Sequence, residues 1–156
     1  MRISNVLIAL VLVSLPVAIA NAQSKDGGVA LLAHDQVKAA FAKGRPLLEV
    51  VDYKIHASRR EGPGIAEIHT RDTDIAYVLR GSATLVTGGA AVDVKQIGPE
   101  EFRGTLIRGG ESRRLSPGDV VVIPNGVPHW FQEVKAPFLY YVVKVRQADR
   151  ITAGAM

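Results

Sequence analysis

Between Leu47 and Val145, glycine and proline cut the chain into short apolar runs, most of them too short for helices. The runs are Leu47 to Ser58, Ile65 to Thr70, Ile75 to Leu79, Ser82 to Thr87, Val120 to Ile123 and Phe138 to Val145. Gly62-Pro63-Gly64, Gly81, Gly88-Gly89 and Pro124-Asn125-Gly126 separate them. Short strands at this spacing close on themselves as a sandwich or barrel, so the expected class is all-β. Val120 to Ile123 is unbroken apolar sequence and reads as a strand buried on both faces. Gly98 to Gly110, charged and rich in glycine, reads as a mobile loop. Upstream, Val29 to Lys43 has a helical period that puts Leu32, Val37, Ala40 and Phe41 near one face. Gly44 and Pro46 stop that helix.

The first 22 residues stand apart. Arg2 precedes the apolar run Val6 to Ala20, and Ala20-Asn21-Ala22 then offers the small residues that a signal peptidase inspects. The run is about fifteen residues, short of the roughly 20 that span a bilayer. The expectation is a cleaved signal peptide over residues 1–22, a lead and helix over 23–46, and a periplasmic or secreted product with no membrane segment. The sequence has no cysteine, so an exported core must be held by apolar packing rather than by disulfides. Lys and Arg exceed Asp and Glu by 19 to 15 without a long basic run, which gives no support to nucleic-acid binding. The basic residues between Arg59 and Arg114 favour a small anionic molecule instead.

Two of the four histidines sit in informative surroundings. Glu67 and His69 are two apart on an expected strand, so both side chains leave one face. Asp74 follows across a polar turn. His129 ends Pro124-Asn125-Gly126-Val127-Pro128-His129, where proline and glycine fix the direction of the next side chain. Imidazole and carboxylate together suit a divalent first-row metal.

These segments resemble the cupin family. Its second motif is matched in full by Gly118, five residues, Pro124-Asn125-Gly126, two residues and His129. Its first is matched in part by Glu67-Ile68-His69, four residues, Asp74, six residues and Gly81. The resemblance implies a double-stranded β-helix, or jelly-roll barrel, over residues 47–150, with a short N-terminal helix before it. It implies metal ligands at His69, Asp74 and His129, and a divalent Fe, Mn, Ni, Zn or Cu ion. Glu67 stands where a first His is usual. It is a candidate fourth ligand, a replacement for the shorter Asp74, a catalytic base, or the salt-bridged remnant of a lost site. Glu133 stands where an Asn is usual.

A hairpin centred on Pro63 would set Arg59 opposite Glu67 and point it into the barrel as a substrate clamp. A slip of one residue would turn His56 and Arg60 inward instead. Phe131 shares a face with His129 and is expected to line the pocket, with Tyr141 or Tyr140 from the last strand; core packing would account for these aromatics as well. His34 is expected at the surface. The family includes dioxygenases, isomerases, epimerases and decarboxylases, and its subunits commonly exchange strands as homodimers. The expectation is an exported metal-dependent cupin of oxygenase or isomerase type. The alternative is a binding protein for a small molecule or a metal, without turnover.

Overall fold

The structure is a computed structural model that describes residues 28–148; the expected signal peptide lies outside them. Helix α1 (His34–Lys43) precedes eleven strands. These are β1 (Arg45–Glu49), β2 (Tyr53–Arg60), β3 (Ala66–His69), β4 (Asp72–Thr87), β5 (Ala90–Ala91), β6 (Lys95–Gly98), β7 (Glu101–Gly104), β8 (Ile107–Arg108), β9 (Glu111–Leu115), β10 (Val120–Ile123) and β11 (His129–Arg146). Apart from the small β5–β8 pair, the described strands form one antiparallel sheet that curls on itself. The fold class is the expected all-β jelly roll.

Two long strands organise it. β4 and β11 pair from His129↔Thr87 to Arg146↔Asp72. β2 flanks the second half of β11, and β3 meets its start at His129↔Glu67. β10 and β9 take opposite halves of β4. Gly81 does not separate two strands as its sequence position suggests; β4 runs through it at φ +78. The sheet folds over at this point, because a left-handed residue redirects a strand without ending it.

Along β4 the side chains of Asp72, Asp74, Ala76 and Val78 turn inward while Ile75, Tyr77 and Leu79 turn out. Leu85, Phe131, Phe138 and Tyr140 pack in the interior, and burial of each apolar side chain contributes roughly 1.5–3 kcal/mol. Helix α1 covers the outer face of β1, β2 and β11. There Phe41 meets Tyr141 edge-on at 4.8 Å.

Three expectations need correction. The helix starts at His34 rather than Val29; Ala33 is still extended, and Leu32 reaches the same apolar cluster from the lead. The stretch Gly98 to Gly110 holds β7 and β8, because β7 finds β3 and β6 as neighbours. Among the described strands β10 pairs only with β4, and only one of its two faces is covered, so Val120 and Val122 on the outer face are exposed while Ile123 is buried. His34 is exposed, as expected. Among the described residues, no helix is long and apolar enough to cross a membrane.

Candidate metal centre

Three strands bring the site together. β3 presents Glu67 and His69 on its inner face, β4 presents Asp74, and β11 opens with His129. The Pro124–Pro128 turn is tied to β3, where the Gly126 N–H donates to the His69 carbonyl at 2.7 Å and the Asn125 side-chain amide donates to the Thr70 carbonyl. The two motif segments are therefore clamped together by one backbone and one side-chain-to-backbone hydrogen bond, and His129 points at His69.

The two imidazoles are 4% and 3% exposed, with ring centroids 5.0 Å apart. His69 Nδ1 lies 2.7 Å from Glu101 Oε2, and His129 Nδ1 lies 3.1 Å from the Val127 carbonyl oxygen. Both partners only accept, so each Nδ1 carries the proton and each Nε2 offers a lone pair. His69 Nε2 is buried with no hydrogen-bond partner. Burial, followed by the charge of Lys144, brings the His69 pKa down to about 4. Burial also lowers that of His129. Both rings are therefore neutral at pH 7, the state in which imidazole binds a metal.

Glu67, His69 and His129 place one donor atom each within 4.8 Å of one another. An orphaned, buried imidazole nitrogen facing a second imidazole and a carboxylate fits a divalent cation. Glu101 behind His69 supplies the carboxylate–histidine pairing that orients metal ligands. Asp74 also reaches the site, with Oδ2 at 3.5 Å from His69 Nε2 and 4.0 Å from His129 Nε2. It is paired with Lys144, however, at 2.7 Å through both oxygens. Burial opposes ionisation of Glu67, but the charges of Arg60 and Arg103 outweigh it and hold the carboxyl below its usual range.

A cavity of about 340 Å³ opens on these groups. Phe131 lines it, as expected, and so do Arg60, Arg103, Tyr140 and Lys144. Arg59 does not. β2 pairs with β11 rather than β3, and Arg59 opposite Leu139 faces out to Glu61. The register is the one that turns His56 and Arg60 inward. Arg60 donates to Glu67 at 3.0 Å and to the Tyr140 hydroxyl, and it stacks over Phe131 at 4.3 Å. Tyr141 is likewise displaced, since strand parity sends it out against α1 while Tyr140 turns in.

Sequence reasoning missed Lys144, Glu101 and Arg103. A lone Lys at the i+2 spacing of Tyr140 and Val142 in an apolar strand was a legible signal for the first. The other two lay in the stretch read as loop.

None of the curated proteins matches this chain in sequence. Among solved structures, a protein of Bacillus halodurans (BH2720) is similar at 15% identity and a TM-score of 0.54, over 78% of this chain and 85% of that one. Hydroquinone 1,2-dioxygenase PnpCD, solved with Cd2+ and 4-hydroxybenzonitrile, is similar at 16% identity and a TM-score of 0.51, over 94% and 93%. Both likenesses concern the fold alone. Residues 53–155 match the family described as Cupin, whose members commonly bind a divalent metal, and the chain belongs to that family.

Proposed function

We propose that this chain is an exported cupin that holds one divalent transition metal through Glu67, His69 and His129 and acts on a small anionic organic molecule, with chemistry of oxygenase or isomerase type. The observation that carries the reading is the buried, unpartnered His69 Nε2 facing His129 and Glu67. A bound metal would supply Lewis acidity or a site for oxygen. Two imidazoles and one carboxylate leave coordination positions open for substrate. The chain's own contribution is positioning. Glu101 and the Val127 carbonyl fix both imidazole tautomers, and Phe131, Ile123 and Val142 give the otherwise charged cavity one apolar patch. Arg60 and Arg103 bring positive charge to its lining, where a substrate carboxylate can be met by a guanidinium fork.

A second reading is a binding protein without turnover. It is favoured by the cations already seated on both carboxylates, Arg60 on Glu67 and Lys144 on Asp74. In both readings two copies associate through the apolar outer face of β4 and β10.

The test is the protein recovered from the medium or periplasm of its host and handled without chelator or nickel resin. An intact mass starting at Gln23 and near-stoichiometric metal are expected. The metal should be lost in His69→Ala and His129→Ala variants that keep their β-sheet circular dichroism. Unchanged metal in folded His129→Ala would sink the assignment, and an uncleaved N-terminus would sink export. Metal with exchangeable water, seen by electron–nuclear resonance after manganese loading, favours the enzyme; a saturated ion favours the binding protein.

A further inference from the structure

We propose that Lys144 keeps Asp74 out of the coordination sphere, so that the centre takes three protein donors rather than four. This rests on the metal reading above and concerns which carboxylate serves it.

Asp74 and Lys144 are register partners on the inner faces of β4 and β11. Their side chains are 10% and 13% exposed, and Nζ lies 2.7 Å from each carboxylate oxygen. Both oxygens of Asp74 are thus held by one partly buried ammonium. By its distances to the two imidazoles alone, Asp74 is a candidate donor beside the Glu67, His69 and His129 cluster. Ligand atoms on one first-row ion at about 2.0–2.2 Å lie roughly 3–4 Å from one another, and Asp74 Oδ2 meets that condition to both imidazole nitrogens. What sets it apart from Glu67 is its counter-ion. Arg60 takes Oε1 of Glu67 at 3.0 Å and is itself held by Tyr140 and Phe131. Oε2 faces Arg103 at 3.6 Å and stands 3.8 Å from His69 Nε2. Glu67 therefore keeps Oε2 the less encumbered for a metal, whereas both oxygens of Asp74 already face an ammonium at 2.7 Å. A dication brought to Asp74 would also approach the Lys144 ammonium through a single carboxylate, and like charges in a low-dielectric site repel strongly. The consequence is a centre with at least one more open position, and a less anionic one, than its four potential donors would make.

Cobalt(II), whose visible spectrum reports coordination, is the probe. It is titrated at fixed pH into the mature chain, into Lys144→Met, and into the charge-balanced double variant Lys144→Met with Asp74→Asn. Lys144→Met is expected to bind cobalt more tightly, because a like charge is removed and a carboxylate freed, with a changed visible band. The double variant is expected to return to the affinity and band of the unsubstituted chain. Tighter binding of Lys144→Met with an unchanged band would mean that only a charge was removed, and would overturn the inference. A double variant with a lost or shifted band would show that Asp74 ligates beside Lys144, and would also overturn it. If Lys144→Met does not fold, because Asp74 is left buried without a counter-ion, the double variant decides on the same criterion. Failure of all three proteins to take up cobalt would overturn the metal reading together with this inference. Uptake by the unsubstituted chain with an altered double variant overturns the inference alone.

Discussion

His69 has one ring nitrogen committed to Glu101 and the other buried without a hydrogen-bond partner. Two predictions belong at this scale. Glu101→Ala removes the acceptor that fixes the Nδ1–H tautomer, so metal affinity should fall about 10- to 100-fold while the fold persists. Calorimetric titration reads this, and an unchanged affinity would show that the pairing does not orient the ligand. The second concerns acid. In the metal-free protein, burial first and Lys144 second lower the His69 pKa from 6.5 to about 4. The unfolded chain therefore takes up the proton before the folded one, and stability is lost as pH falls from about 6.5 towards 4. For His69 the loss at the lower end is about 3 kcal/mol, and His129 acts in the same direction. Urea denaturation of chelator-treated protein across that window checks it, with His69→Gln expected to flatten the slope. The sequence made His69, Asp74, His129 and Glu67 legible as a set, because i+2 spacing and a proline-stiffened turn are local properties. It gave no way to know that Glu67 would share an oxygen with Arg60 while Asp74 gave both to Lys144.

At the scale of elements, β4 and β11 show why short apolar runs were underread. Each spans a bend, Gly81 in one and the Ala136–Pro137 segment in the other. A Cβ at Gly81 would lie 2.5 Å from the Pro137 carbonyl oxygen and 2.7 Å from that of Lys135. Both obstacles are backbone and cannot swing away. Gly81→Ala should therefore cost roughly 2–4 kcal/mol. Gly88→Ala, also left-handed at φ +73 but facing open space, should cost only about 1–2 kcal/mol. Urea midpoints of the two variants make the comparison, and equal losses would show that backbone conformation alone sets the cost. The segment from Gly98 to Gly110 was misread for a related reason. Its polar composition is that of a loop, and its strand character comes from the ladders β7 forms with β3 and β6.

At the scale of the whole molecule, an outer face is left apolar among the described residues. Ile75, Tyr77, Val120 and Val122 are 38%, 46%, 63% and 57% exposed, and they lie side by side through the Val120↔Tyr77 and Val122↔Ile75 register. This face is where the proposed association of two copies would be placed, since contiguous exposed apolar surface favours contact with another molecule. Sedimentation should give the mass of two copies for the unsubstituted chain and of one for Tyr77→Lys, with little change in melting temperature. A single-copy mass without substitution would remove the association from the proposed reading. By itself the sequence determined the all-β class, the helix that precedes the sheet, the inward turn of Glu67 with His69, and membership of the second motif. All follow from turn chemistry and a two-residue period, which act over a few neighbours. Only the tertiary structure decided that β2 lies against β11 rather than β3, and with it that Arg60 and Tyr140 enter the cavity while Arg59 and Tyr141 leave it. A strand has two faces, and which one is inside depends on its distant partner, so a one-residue difference in register exchanges every side chain between site and surface.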